Sequence, residues 1–273
     1  MASAIILLPF YIAYLPTATY GTLSICLAFS LLVQVVTIFS FDTSLHVHYQ
    51  EFRKDTQTLH RLVSSVFLFL LGFGAIILVA SALAGAPIFE LIFAQQSFSF
   101  YPYGFVSVGI GVFQAIFKVK GYLLQTQERP QIFLWSNVVS FAIICVTTII
   151  GLWLFPDSLI GPLGGRLVAA VLSALWALWH TFRETGIHFK SPWRYTSFSY
   201  NAYTFAYSLQ HWASGYLDRF IIMFFLPLST VGIYDFAMKC LVPIDLVING
   251  LRASFTPSVI RHINDQQIKS ATP

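Results

Sequence analysis

Seven ionisable side chains of this chain fall inside long apolar runs: Arg166, Asp218, Arg219, Asp235, Lys239, Asp245 and Arg252. An ionised group at mid-bilayer costs roughly 2.5 to 3.5 kcal/mol even on the lenient insertion scale. Seven of them facing lipid would together cost about 20 kcal/mol, more than the whole stability of a typical domain. They must pair or line a polar interior. Helical spacing sorts them. Asp235 and Lys239 are four residues apart with the acid first, the favourable order for a pair within one helix. Asp245 and Arg252 stand two turns apart on another face. Asp218 and Arg219 are adjacent, so their side chains leave the helix about 100° apart. That pair is not expected to neutralise itself, and each member is predicted to need another partner.

The elements that hold these residues must be membrane helices. The chain has 273 residues, of which 57% are hydrophobic and 10% charged, and its mean hydropathy is +0.73. A soluble domain carries about 25% charged residues. At about 20 apolar residues per crossing, eight spans are predicted, near 1–15, 21–41, 62–84, 101–123, 131–155, 160–180, 198–226 and 231–256. The first fifteen residues lack the basic start of a cleaved signal peptide. Cys26, Cys145 and Cys240 lie in apolar runs at wide spacing and read as packing residues, without a disulfide framework or zinc site.

Basic residues set the orientation, because loops rich in Lys and Arg stay in the cytoplasm. Every second connection is basic: Arg53, Lys54 and Arg61; Lys118, Lys120 and Arg129; Arg183, Lys190 and Arg194; then Arg261 and Lys269. The intervening connections, 16–20, 85–100, 156–159 and 227–230, hold no Lys or Arg. Both ends are therefore expected in the cytoplasm. The net charge of +4 is largely this signature, so a nucleic-acid partner is not needed to explain it. Contact of the basic face with anionic membrane lipids is expected.

Polar stripes mark particular helices. On the seventh segment Asn201, Thr204, Ser208, His211, Gly215 and the Asp218/Arg219 pair share one sector. On the fourth, Gly104, Ser107, Gly111, Gln114 and Lys118 repeat the pattern, continued by Tyr122 and Gln125. The second segment offers Ser30, Gln34 and Thr37. Small residues let membrane helices approach closely. That explains the sixth segment, where Gly161, Gly165, Ala169 and Ser173 recur every four residues. Gln114, Lys118, His211 and Arg219 are too long for that role, and a solvated cavity is the favoured reading of the fourth and seventh segments. His211 reads equally as a proton-responsive group and as a hydrogen-bonding helix residue. His46, His48 and His60 fall in a basic connection without matching cysteine or acidic ligands, so an interfacial helix is expected there and no metal site.

Leu15-Pro16-x-x-Thr19-x-Gly21 recurs as Leu226-Pro227-x-x-Thr230-x-Gly232, 211 residues on and at the same outward turn. Six spans separate the copies, the signature of parallel six-helix repeats related by an axis along the membrane normal. Residues 1–196 are thus read as one six-helix lobe, and 197–273 as the first two helices of a second lobe, apparently truncated.

The stretch Asp218-Arg219-Phe220-Ile221-Ile222, with Leu226 and Val231-Gly232-Ile233-Tyr234 after it, resembles bacterial polysaccharide biosynthesis proteins, the O-antigen type flippases. Pro9, Tyr14-Leu15-Pro16, Tyr20-Gly21 and Phe41-Asp42-Thr43 are similar to that family as well. The resemblance implies membership of the multidrug/oligosaccharidyl-lipid/polysaccharide exporter superfamily: an all-α integral membrane protein with two six-helix lobes around a cavity that opens alternately to each side. It implies a multi-pass protein of the bacterial cytoplasmic membrane that moves undecaprenyl-diphosphate-linked oligosaccharide between leaflets, without enzymatic activity or cofactor.

For that cargo a guanidinium fork is a natural partner of the diphosphate. Arg219 is the first candidate, followed by Arg166, Lys118 and Arg252, with Gln114 and His211 beside them. Asp218, Asp235, Lys239 and Asp245 are candidates for ion coupling or for orienting the basic groups, with Na+ or H+ as coupling cation. Other polysaccharide assembly proteins are candidate partners. The rival readings are a cation-coupled multidrug exporter of the same fold, a membrane glycan ligase or acyltransferase, and a noncatalytic assembly subunit. The basic surplus inside the spans disfavours the first, and the short outward connections, nearly free of ionisable groups, disfavour the second.

Overall fold

In a bilayer every backbone amide and carbonyl must find its partner within the protein, which leaves helices as the economical solution for apolar segments of this length. The computed structural model describes residues 2–92, 100–244 and 248, and among these every regular element is a helix. In chain order they are α1 (Ala2–Tyr14), α2 (Thr17–Ile38), α3 (Phe41–Glu51), α4 (Thr56–Ile92), α5 (Phe105–Thr126), α6 (Pro130–Leu154), α7 (Ile160–Thr185), α8 (Phe198–Phe225) and α9 (228–244). A kinked turn, Phe100–Gly104, with Tyr101 extended at φ -92° and ψ 134°, leads into α5, and a 3-10 turn, Pro192–Arg194, precedes α8.

Local chemistry fixes several of the ends. Asp55 caps α4: its Oδ1 accepts the amides of Gln57 and Thr58, each at 3.1 Å, and its Oδ2 the Thr58 hydroxyl. These bonds, the Thr58 hydroxyl first, hold the Asp55 carboxyl below the usual carboxylate range. Pro130 opens α6 where its missing N–H is harmless, and Gly186 closes α7 at φ 71°. The chain turns from α2 into α3 through two left-handed residues, Phe39 and Ser40.

Five stretches are long and apolar enough to cross a membrane: Thr17–Glu51, Thr56–Pro87, Phe100–Thr126, Pro130–Leu154 and Ile160–Thr185. The first includes α3, which begins only after the break at Phe39–Ser40. The expectation of an all-α, multi-pass membrane protein stands on these. The expected first, seventh and eighth spans fold as α1, α8 and α9 within the described residues and are not among these five.

The connections gather at two ends. At the basic end, the His46 ring bonds the Thr126 hydroxyl at 2.8 Å, the His188 amide donates to Ser64, and Phe39 packs on Trp193 and Phe205. At the opposite end the Asp157 amide donates to the Tyr14 carbonyl. The core follows the same division. Phe41, Leu62, Phe67, Val119 and Ala177 pack near the basic end, Leu7, Tyr11, Leu23, Ile110 and Leu163 near the other. Ile25 and Ala28 of α2 join Trp212, Met223 and Val231, which ties α8 and α9 to the first helices.

Small residues bring α6 and α7 together, as their four-residue spacing predicts. A Cβ on Gly161 would lie 2.3 Å from the Gly151 carbonyl oxygen, and one on Gly165 2.4 Å from that of Thr147. The Thr147 hydroxyl donates to the Gly165 carbonyl at 2.8 Å, and Ser140 and Ser173 share a hydrogen bond of 2.9 Å.

Candidate functional site

The paired Leu-Pro-x-x-Thr-x-Gly turns meet each other at the end opposite the basic connections. A Cβ on Gly21 would lie 2.0 Å from the Leu228 carbonyl oxygen, and one on Gly232 2.4 Å from that of Thr17. Positions 17 and 21 of the first copy correspond to 228 and 232 of the second, so the contact is reciprocal. Each turn begins its helix just after proline, and the absent side chains let the two helix starts cross backbone to backbone.

This crossing positions a buried charge cluster. Asp235, one turn beyond Gly232, accepts from the Tyr20 hydroxyl at 2.7 Å and from Arg219 Nε at 2.9 Å, and pairs with Lys239 at 2.6 Å. Lys239 also donates to the Tyr20 hydroxyl at 2.8 Å and lies 4.9 Å above its ring. Arg219 Nη1 reaches the Gly215 carbonyl at 2.9 Å and Asp218 Oδ1 at 3.0 Å, while the Tyr234 hydroxyl donates to the other oxygen of Asp218. Two cations and two carboxylates thus balance. The guanidinium is 7% exposed and the Asp235 carboxylate 3%, so this pairing is what makes the burial tolerable. The i,i+4 bond of Asp235 with Lys239 matches expectation. Arg219 and Asp218 do touch, contrary to the simple angular argument, because the long arginine side chain folds back along α8. Each also has the second partner that the argument required.

Arg166 stands beside the cluster on α7. Its Nε and Nη2 donate to the Tyr11 hydroxyl at 3.4 and 3.2 Å, and the Tyr11 and Tyr20 rings are 6.0 Å apart. Asp245 and Arg252 lie outside the described residues. His211 is exposed on α8 and stands apart from the network.

Gln114 and Lys118 are elsewhere, in a cleft of about 770 Å³ toward the basic end. Gln34, Tyr122, Gln125 and Asn137 line it with them, on α2, α5 and α6. Lys118 lies 3.7 Å from Asp42, at the start of α3. The polar stripe of α5 therefore has two uses. Its first half is tight packing, since a Cβ on Gly111 would meet the Ser30 carbonyl oxygen at 2.4 Å, and its second half faces the cleft. Lys118 and Lys120, read as part of a connection, belong to the last turns of α5. Lys120 is fully buried against Glu184 at 3.4 Å, which also holds Arg129.

Sequence reasoning missed Tyr11, Tyr20 and Tyr234, whose hydroxyls link the charged groups. The repeat flagged residue 20 only as part of a turn. The Arg219 guanidinium would offer a competing oxyanion the same geometry that it offers Asp235 and Asp218. Among the described residues no group of three or more His, Cys, Asp or Glu is placed to hold a metal ion.

A family model described as polysaccharide biosynthesis protein matches residues 2–258. No curated protein and no solved structure matches the chain.

Proposed function

The chain belongs to the polysaccharide biosynthesis protein family, and from that premise we propose that it carries an undecaprenyl-diphosphate-linked oligosaccharide from the inner to the outer leaflet of the bacterial cytoplasmic membrane by alternating access. The observation that supports this reading is a polar cleft holding Lys118 at one end of the helices and a charge cluster at the other. The charge cluster joins α2 to α8 and α9 at the end without basic connections, and the amide-lined cleft with Lys118 lies toward the basic end, read as cytoplasmic. Amide and hydroxyl side chains suit sugar hydroxyls, and an ammonium suits a phosphate oxygen.

In the proposed cycle the head group enters this cleft first and meets Lys118. Arg219 contacts the diphosphate only when the cluster opens, exchanging the Asp235 carboxylate for another oxyanion. Arg166, close by behind Tyr11, assists. Asp218 is the most accessible acid of the cluster, its side chain 33% exposed, and is the candidate site for a coupling proton or sodium ion. The protein acts here as a carrier and catalyses no covalent step.

Substitution of Arg219 tests the exchange. Arg219→Lys keeps the charge and loses the fork, so surface glycan should fall while protein level and helix content hold. Export equal to wild type in Arg219→Lys and Arg219→Ala, at equal protein level, would rule Arg219 out of head-group handling.

A further inference from the structure

Between α6 and α7, around the Ser140–Ser173 hydrogen bond and on toward the basic end, lies a groove of about 480 Å³. Its walls are mainly apolar, with Trp135, Val139 and Ile143 on α6 and Leu172 and Trp176 on α7, and Gln131 and Ser136 add polar groups on α6. Phe117 of α5 lies at its base. The groove opens on a face built for hydrocarbon, since Trp135 is 65% exposed, Val139 52% and Leu172 47%. Phe117, Ser140 and Ser173 also line the polar cleft that holds Gln114 and Lys118. One mainly apolar compartment that opens toward lipid and one polar compartment thus share a partition that includes these three residues.

We infer that the α6/α7 groove holds the polyprenyl tail of the lipid-linked cargo while its head group occupies the adjoining cleft, with the chain passing over Phe117. This inference rests on the flippase reading and adds where the tail travels. The occupant follows from the partition. An ordinary bilayer lipid needs only the apolar side, whereas an amphiphile with a large polar head and a long tail uses both compartments at once. Lipid hydrocarbon is as apolar as the groove wall, so entering the groove gains little transfer free energy. The groove therefore orients the cargo and keeps its tail in the bilayer during head-group transfer.

The test is photolabelling of the full chain in phosphatidylcholine nanodiscs, with a polyprenyl diphosphate that carries a diazirine along its tail. Adducts are mapped by peptide mass spectrometry. The expected result is saturable labelling of residues 131–143 and 172–176, competed by unlabelled polyprenyl diphosphate and not by phosphatidylglycerol. Val139→Trp, which adds bulk over the groove at an exposed position, should abolish those adducts. Groove labelling that phosphatidylglycerol competes equally would make this an ordinary lipid contact and overturn the assignment. Saturable labelling elsewhere would overturn the tail path and leave the flippase reading standing. Absence of any saturable labelling would count against that reading itself.

Discussion

At the residue scale Asp235 holds the charge cluster together. Its carboxylate is shared by Arg219, Lys239 and Tyr20, with Arg219 buried and Lys239 half-buried beside it. Removing one member of a buried ion pair costs about 3 to 5 kcal/mol, because the remaining charge is stranded. Asp235→Ala should therefore destabilise the protein by that amount in detergent, read by thermal unfolding. Unchanged stability would mean the cluster is solvated. Asp55 behaves differently because it is exposed. Its carboxyl is held below the usual range by Thr58, so its contribution is complete at neutral pH and is lost as pH falls through the lowered value. Amide exchange in the first turn of α4 should accelerate in that acidic window and should be insensitive to pH in Asp55→Ala. At this scale the sequence shows the charges and the Asp235–Lys239 pair, since four-residue spacing within a helix is a local property. It hides the Tyr20 and Tyr234 hydroxyls, because nothing local tells which tyrosine reaches another helix.

At the scale of elements, close approach of backbones decides. Gly164 and Gly165 are neighbours on α7, yet a Cβ on Gly164 meets open space while one on Gly165 lies 2.4 Å from the Thr147 carbonyl oxygen. Gly164→Ala should raise stability by up to about 1 kcal/mol through helix propensity. Gly165→Ala should lower it by about 1 to 3 kcal/mol through overpacking against α6. Equal effects in a denaturation series would remove the tight α6/α7 contact from the account. The recurrence of Gly161, Gly165, Ala169 and Ser173 makes this contact legible in the sequence. The α5 stripe is less so. Gly111 and Gln114 lie on one face, but only the packing of α2 shows that the face is closed at Gly111 and open at Gln114. Charge type also misleads for Lys120, which follows Lys118 by half a turn and is buried against Glu184 on α7.

At the scale of the whole molecule, the repeat detected in four matching residues becomes a physical contact, with Gly21 and Gly232 each set against the backbone of the other copy. Topology made it detectable, because both copies stand at the same turn between helices of the same direction. The polar cluster beside it has no counterpart in the first copy, where Leu8, Ser24 and Ala28 take the places of Arg219, Asp235 and Lys239. That asymmetry suits a latch, which needs a charged side and a receiving hydroxyl. The leaflet position of lipid-linked oligosaccharide, in cells whose only copy of the gene carries Lys118→Ala with Gln114→Leu, shows whether the cleft receives the head group. These two side chains line the cleft, so their loss should leave the intermediate accumulated on the cytoplasmic leaflet and deplete surface glycan, with protein level unchanged. Intermediate reaching the outer leaflet at the wild-type rate would contradict the claim that this cleft receives the head group.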